Sequence, residues 1–394
     1  MRSGKSRVAP HVAELPKSGI RKFFDIVASQ KDIVSLGVGE PDFDTPWHIS
    51  RAAVTCLEDG GTHYTSNLGT IELRQAIARY LARRFSAKFA WEKEILVTVG
   101  VSEAIDLAIR AIASPGDEII YHEPCFVSYA PTIRLAHAVP VCVETRVEDE
   151  FRLTVEQLER KVTPKTKAIL LNFPCNPTGA TLSREEIREI LAFAARHDLI
   201  VLADEVYSEL NYTVPEDGEL SSFASFEEYR DRVILLNGFS KSWAMTGFRL
   251  GYACGPADII DAMMKIHQYG IMSAPTLSQA AGVEAMDHGD RDVAKMRREY
   301  RRRRDYLVPA LNGLGLTTLM PKGAFYVFTD IRSTGLGDEE FALKLLKGYG
   351  VACVPGSAFG SCGAGFVRMS YATSIDRIRL AIDRLSGFIG KIRP

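Results

Sequence analysis

Between about residues 42 and 275 short apolar runs alternate with amphipathic stretches, and this alternation restricts the chain to an α/β architecture. The runs fall at 95–99, 118–122, 140–144, 168–172, 199–203, 233–236 and 249–254. Several are apolar almost throughout, as strands buried on both faces are. Stretches such as 102–113 and 184–197 carry the helical pattern between them. Strands separated by helices imply a mostly parallel sheet, whose ligands sit at the carboxyl ends of its strands.

The flanks differ. Residues up to 41 read as an arm with a short helix at 18–29. After residue 285 a long helical segment at 290–311 leads into 323–329, 338–349, 366–370 and 375–389, which read as a small α+β unit. The expected division is 1–41 as arm and part of the small domain, 42–285 as the large domain and 286–394 as the small one. The helix at 290–311 carries Arg297, Arg298 and Arg301 to Arg304, read as a solvated face because the net charge is only −1. That balance also argues against nucleic-acid or membrane-surface partners. No window reaches the length of a membrane helix, and the N-terminus lacks the apolar stretch of a signal peptide. The seven cysteines are scattered and odd in number, so they read as reduced thiols of a cytoplasmic protein with no metal site.

Polar residues at strand ends carry the chemistry. Lys241 lies between Ser240 and Ser242, just after an apolar run. Alone it reads as a loop lysine; buried near cations it would have the lowered pKa of an amine nucleophile. Asp204 ends the run from Leu199, where a carboxylate is costly without a cation. Tyr207 follows three residues on. The stretch from Leu171 to Gly179 holds two Asn and two Pro, which impose an irregular loop around Asn176. Gly100 to Ala104 joins a run to a helix, and backbone N–H groups at a helix start cradle phosphates. Each of these also has an ordinary structural reading.

Taken together, the motifs resemble those of the fold-type-I pyridoxal-phosphate (PLP) enzymes, specifically the class I aminotransferases. They are G-E-P-D-F at 39–43, Tyr64, the turn at 100–104, N-P-T-G at 176–179, D-E-V-Y at 204–207 and S-K-x-x-x-M-T-G-x-R at 240–249. G-A-F-Y at 323–326, V-P-G-x-x-F-G at 354–360 and the Arg368 segment complete the series. They stand in family order over nearly the whole chain. The resemblance implies a large domain with a seven-stranded, mostly parallel sheet plus a small α+β domain.

It also implies roles. Lys241 would hold pyridoxal 5'-phosphate as a Schiff base and then shuttle the α-proton. Asp204 would pair with the pyridine nitrogen, and Asn176 and Tyr207 would bond the phenolic oxygen. Phe126 would stack on the ring. Ser240, Arg249 and the backbone of Val101 and Ser102 would hold the phosphate. Tyr64 would reach the phosphate of a partner subunit, making a homodimer. Arg368, with the backbone at Gly39 and with Asn176, would bind the substrate carboxylate. The implied reaction moves the amino group of an aspartate, aromatic or aliphatic L-α-amino acid to a 2-oxo acid such as 2-oxoglutarate. A β-lyase on the same fold is the alternative; a PLP-sensing DNA-binding regulator is disfavoured, because G-E-P-D-F begins at residue 39.

Two departures stand out. Gly238 occupies a position where many relatives have serine, and Glu103 puts an anion beside the phosphate turn. The side-chain pocket is expected to include Ile20, Phe126, Tyr129 and a partner loop near 269–273. Arg110 reads either as a ligand for a side-chain carboxylate or as a surface arginine.

Overall fold

The structure, a computed structural model, describes residues 7–15, 32–215 and 218–392. The expected helix at 18–29 and Ile20 lie outside the described residues. In chain order come β1 (Val34–Ser35), β2 (Ile95–Thr98), β3 (Glu118–Glu123), β4 (Val139–Glu144), β5 (Thr166–Asn172) and β6 (Ile200–Asp204). These are followed by β7 (Val233–Gly238), β8 (Gly251–Cys254), β9 (Tyr326–Asp330), β10 (Val351–Ala352), β11 (Val354–Pro355) and β12 (Phe366–Ser370).

The seven runs read from the sequence are the seven strands of one sheet, ordered β2-β8-β7-β6-β5-β3-β4. All pairs are parallel except those of β8, which runs antiparallel to both β2 and β7. The α/β expectation therefore holds. The apolar character of the central strands has a direct cause. Ile169, Leu171, Val201, Ala203 and Leu235 enter one core. Their neighbours Ala168, Leu170, Leu202, Ile234 and Leu236 enter another on the opposite face. With a side-chain period of two, a strand between two cores has no solvent face.

The helices have local causes too. Arg184–Arg196 opens on a capping box in which Ser183 and Glu186 satisfy each other's backbone N–H groups, and it closes on Arg196. Ile71–Phe85 is capped by the Thr70 side chain and ends on Ser86 in the left-handed region. The expected start of the strand at 249 moves to Gly251, because Arg249 itself has φ +50° and cannot continue a strand.

The tail forms a second, antiparallel sheet, β11-β12-β9. β1 pairs in parallel with β10, so residues 34–35 join this unit rather than the large sheet. A third core, including Leu36, Tyr300, Phe325, Phe341 and Leu385, lies among these elements. The long helix runs Asp290–Gly313. Only half of its basic run is the solvated face expected: Arg298, Arg301 and Arg302 are exposed, whereas Arg297, Arg303 and Arg304 are buried. Arg303 reaches Asp42 at 2.7 Å and Glu299 at 2.9 Å. Arg304 donates to the Pro321 carbonyl at 2.9 Å and pairs with Asp305. Burial of arginine is tolerable where the fork is satisfied in this way.

Candidate active site

The strand ends converge on a cavity of about 450 Å³. Asp204 is the last residue of β6, and Asn172, its register partner, is the last of β5. The Asn172 amide donates to the Asp204 carbonyl at 2.9 Å, and its oxygen accepts the Asn176 N–H at 2.9 Å. The irregular loop after β5 is thus tied to the sheet at the residue that brings Asn176 into the cavity. The short helix Phe239–Ser242 follows β7 and carries Ser240 and Lys241. β12 brings Arg368 from the second sheet.

Asp204 is buried and makes no ion pair among the described residues. Tyr129 donates to its Oδ2 at 2.7 Å and the Val206 N–H to its Oδ1 at 3.3 Å. Burial pushes its carboxyl up to about 6 despite these bonds. Lys241 donates to the Gly39 carbonyl at 2.7 Å. Burial pulls its amine down to about 8; Glu40 opposes this, while Arg368 and Arg249 add to it. Arg368 is buried without a carboxylate partner among the described residues. Its Nη1 donates to Asn176 Oδ1 at 3.0 Å and its Nη2 to the Gly37 carbonyl at 2.6 Å. Its Nε has no hydrogen-bond partner among the described residues. A buried guanidinium held only by neutral acceptors is set up to receive an anion.

The ends of β2, β7 and β8 pack closely. Gly100 has φ +73°, and a Cβ there would sit 2.8 Å from an Arg249 Nη atom. At Gly238 a Cβ would lie 2.9 Å from Val101 Cγ2 and 3.0 Å from the Leu250 carbonyl. A serine there would force its neighbours apart, which accounts for this departure from the common pattern. Glu103 turns back from the turn: its carboxylate accepts the Val99 N–H at 2.5 Å and contacts His267 Nδ1 at 2.7 Å. It thereby binds back to the residue preceding the helix Gly100–Ile112, while Val101 and Ser102 line the cavity.

Of the twelve site residues proposed from the sequence, eleven line this one cavity; Tyr64 does not. Tyr64 is 83% exposed and lies with Ser273 at a separate surface depression. Arg110 is also elsewhere, exposed and paired with Asp106 at 2.8 Å one helical turn back. Tyr129 is not a pocket wall but a buried donor to Asp204. Sequence reasoning missed Asn172, Glu40, Thr246 and Tyr326 as cavity residues. Asn172 bears the same mark as Asp204, a polar residue closing an apolar run. Tyr326 lies inside the G-A-F-Y motif.

The residues fit pyridoxal phosphate on the structure's own terms. The cavity offers a buried carboxylate lacking a cation, an amine with a lowered pKa, a helix start beside Arg249, and an arginine with an unused donor.

A family model described as aminotransferase class I and II matches residues 31–385. The chain is 48% identical to a putative aminotransferase, YugH, of Bacillus subtilis, covering 98% of this chain and 99% of that one. It is 46% identical to an aspartate aminotransferase of Pyrococcus abyssi, over 93% of this chain and 94% of the other. Among solved structures it resembles an aromatic aminotransferase from Pyrococcus horikoshii, with a TM-score of 0.88 and 43% identity, covering 94% and 99% of the two chains.

Proposed function

We propose, from the premise that the chain belongs to the pyridoxal-phosphate-dependent class I and II aminotransferases, that its donors are aspartate, aromatic or aliphatic L-α-amino acids and its acceptor 2-oxoglutarate. Amino-group transfer, the cofactor and the fold-type-I architecture come with family membership. The breadth of donor is our reading. It is supported by the names of relatives, among them aspartate and aromatic-amino-acid aminotransferases. The observation that carries it is Arg368, a buried fork whose Nε has no partner among the described residues, in the same cavity as Lys241 and Asp204. That fork matches the carboxylate every α-amino acid shares and leaves the side chain unspecified.

When bound, the cofactor supplies a ring that takes up the electron pair released at the substrate's α-carbon. In our reading Lys241 holds it through Nζ, and Asp204 keeps its ring nitrogen protonated. Asn176 and Tyr207 hold its phenolic oxygen and Phe126 its face. Ser240, Arg249 and the N–H groups of Val101 and Ser102 hold its phosphate. With its amine near 8, Lys241 is about one-tenth neutral at pH 7, against roughly one part in three thousand at its ordinary value. In its neutral form Lys241 would hold the cofactor's carbonyl carbon through Nζ with loss of water, and once displaced by substrate the same Nζ would take the proton from the substrate's Cα. Arg368, steadied by Asn176, holds the carboxylate, and the Gly39 carbonyl orients Lys241.

We further propose a cytoplasmic homodimer in which Tyr64 serves the partner's phosphate site. Support comes from the large exposure of Tyr64 and of Tyr269 and Ile271 nearby in sequence to Ser273. The pairing of β1 with β10 supports 1–41 as an arm and part of the unit formed by 286–394, with 42–285 as the large domain; the arm's His11 ring lies 4.6 Å from that of His137 in the large domain.

The test is a panel of amino donors with 2-oxoglutarate, preceded by a visible spectrum of the protein with added cofactor. Turnover of aspartate and of aromatic or branched donors is expected. Fast turnover of a diamine alone, or release of pyruvate and ammonia without an acceptor, would overturn the reading. Mixing Lys241→Ala with Tyr64→Ala subunits should restore activity that neither has alone; a mixture as inactive as its parts refutes the shared site.

A further inference from the structure

Tyr326 is the first residue of β9 and lines the cavity. Its hydroxyl lies 2.9 Å from that of Tyr207. Its ring face lies 4.4 Å from the Arg368 guanidinium carbon, and the Phe359 ring lies 4.8 Å from the same carbon. A Cβ on Gly39 would come within 2.5 Å of the Tyr326 hydroxyl. The backbone that accepts the Lys241 bond therefore packs directly on this phenol.

The two phenols share one hydrogen bond, so one of their two protons is left over. Which one is free follows from charge. Burial raises both phenols, Tyr207 well above the ordinary value. Arg368, against the Tyr326 ring, opposes the rise there as the largest counter-effect. Either phenol can donate in this contact; the guanidinium 4.4 Å from the Tyr326 ring favours Tyr326 as donor and Tyr207 as acceptor, and we take that direction. A hydroxyl that accepts one bond donates its own proton more strongly. Tyr207 lines the cavity, and its own proton is the one left for a ligand there.

We propose that Tyr326 is a positioning residue acting through two neighbours: its hydroxyl aims and strengthens the Tyr207 proton toward the cofactor's phenolic oxygen, and its ring holds Arg368 flat for the substrate carboxylate. This rests on the roles given above to Tyr207 and Arg368. The two functions separate chemically. Tyr326→Phe removes the hydroxyl and keeps the ring. Tyr326→Leu removes both.

The test uses cofactor-loaded protein and two readouts other than turnover. One is the pH midpoint of the bound cofactor's visible absorbance. The other is the Kd of the desamino analogue of the best donor, which keeps the carboxylate and lacks the amino group. Tyr326→Phe should raise the midpoint by on the order of half a pH unit, the effect of a weakened hydrogen bond on the ionised oxygen. It should leave the Kd within about twofold, and it should add nothing when Tyr207 is already phenylalanine. Tyr326→Leu should weaken the analogue roughly tenfold by removing one cation–π face. Phe359→Leu, which removes the other ring beside the guanidinium, should do the same without moving the midpoint, and serves if Tyr326→Leu does not fold. An unmoved midpoint in Tyr326→Phe, or a shift equally large in the Tyr207→Phe background, overturns the hydroxyl's role. Unchanged analogue binding in the leucine variants overturns the ring's. Failure of the wild-type protein to take up cofactor would instead overturn the functional reading beneath it.

Discussion

Replacing Lys241 with methionine should stabilise the cofactor-free protein at neutral pH. Methionine matches the length of the lysine stem and removes the charge. Enclosure pulls the Lys241 amine from an ordinary 10.5 to about 8. A gap of that size is worth about 3 kcal/mol at 1.36 kcal/mol per pH unit. The lost bond to the Gly39 carbonyl gives back about 1 kcal/mol. The net gain expected is about 2 kcal/mol. Its pH dependence has a definite sign. Below pH 8 the lysine is charged in both the folded and unfolded chain, and the folded state carries the whole penalty. Between 8 and 10.5 the folded lysine is neutral while the unfolded one still binds a proton, so wild-type stability rises with pH. By about pH 10.5 the ionisation penalty is gone. The assay is chemical unfolding of both cofactor-free proteins from pH 6.5 to 10.5, read as the difference between them so that other titrating groups cancel. A wild type as stable as the variant at pH 7, or a difference constant across the range, refutes the reasoning. The amine needed for catalysis is then a site of stability given up for function.

Arg368→Lys should raise KM for amino donors by roughly ten- to a hundredfold with a smaller effect on kcat, since it loses charge-assisted bonds worth about 1.5–3 kcal/mol; steady-state kinetics decides. Arg110→Ala should leave the KM for aspartate within about twofold, because Arg110 is exposed and paired with Asp106 outside the cavity. Glu209 is buried, accepts Tyr80 at 2.6 Å and pairs with Arg84 at 2.9 Å. Glu209→Gln should cost about 3–5 kcal/mol in denaturant unfolding, and Glu209→Leu with Arg84→Met should recover most of it.

What could be read in advance follows from what is local. The sheet strands are legible because a strand between two cores must be apolar on both sides, as Ile169 and Leu170 are. The reversed direction of β8 is not legible: its residues are buried on both faces like those of its parallel neighbours, and nothing in the run marks its course. The basic helix misleads for a related reason. Arg303 finds Asp42 261 positions away, so no window along the chain reveals that the charge is answered. Site residues were legible where polarity interrupts an apolar run at its end, as at Asp204. Tyr129 and Tyr326 show no such break; their roles come from which hydroxyl or cation tertiary packing sets beside them.

The pairing of β1 with β10 orders events during synthesis. The segments around the Lys241 end of the cavity, from Gly100 to Arg249, are made before residue 250. The stretch from Val34 to Gly39 is made earlier still, yet β1 has no partner until residues 351–352 emerge. The Gly37 carbonyl likewise waits for Arg368. At roughly 5–20 residues per second that wait lasts on the order of ten seconds beyond residue 249. The nascent chain therefore holds the parts of a cofactor cradle well before it can tell an amino acid from any other amine.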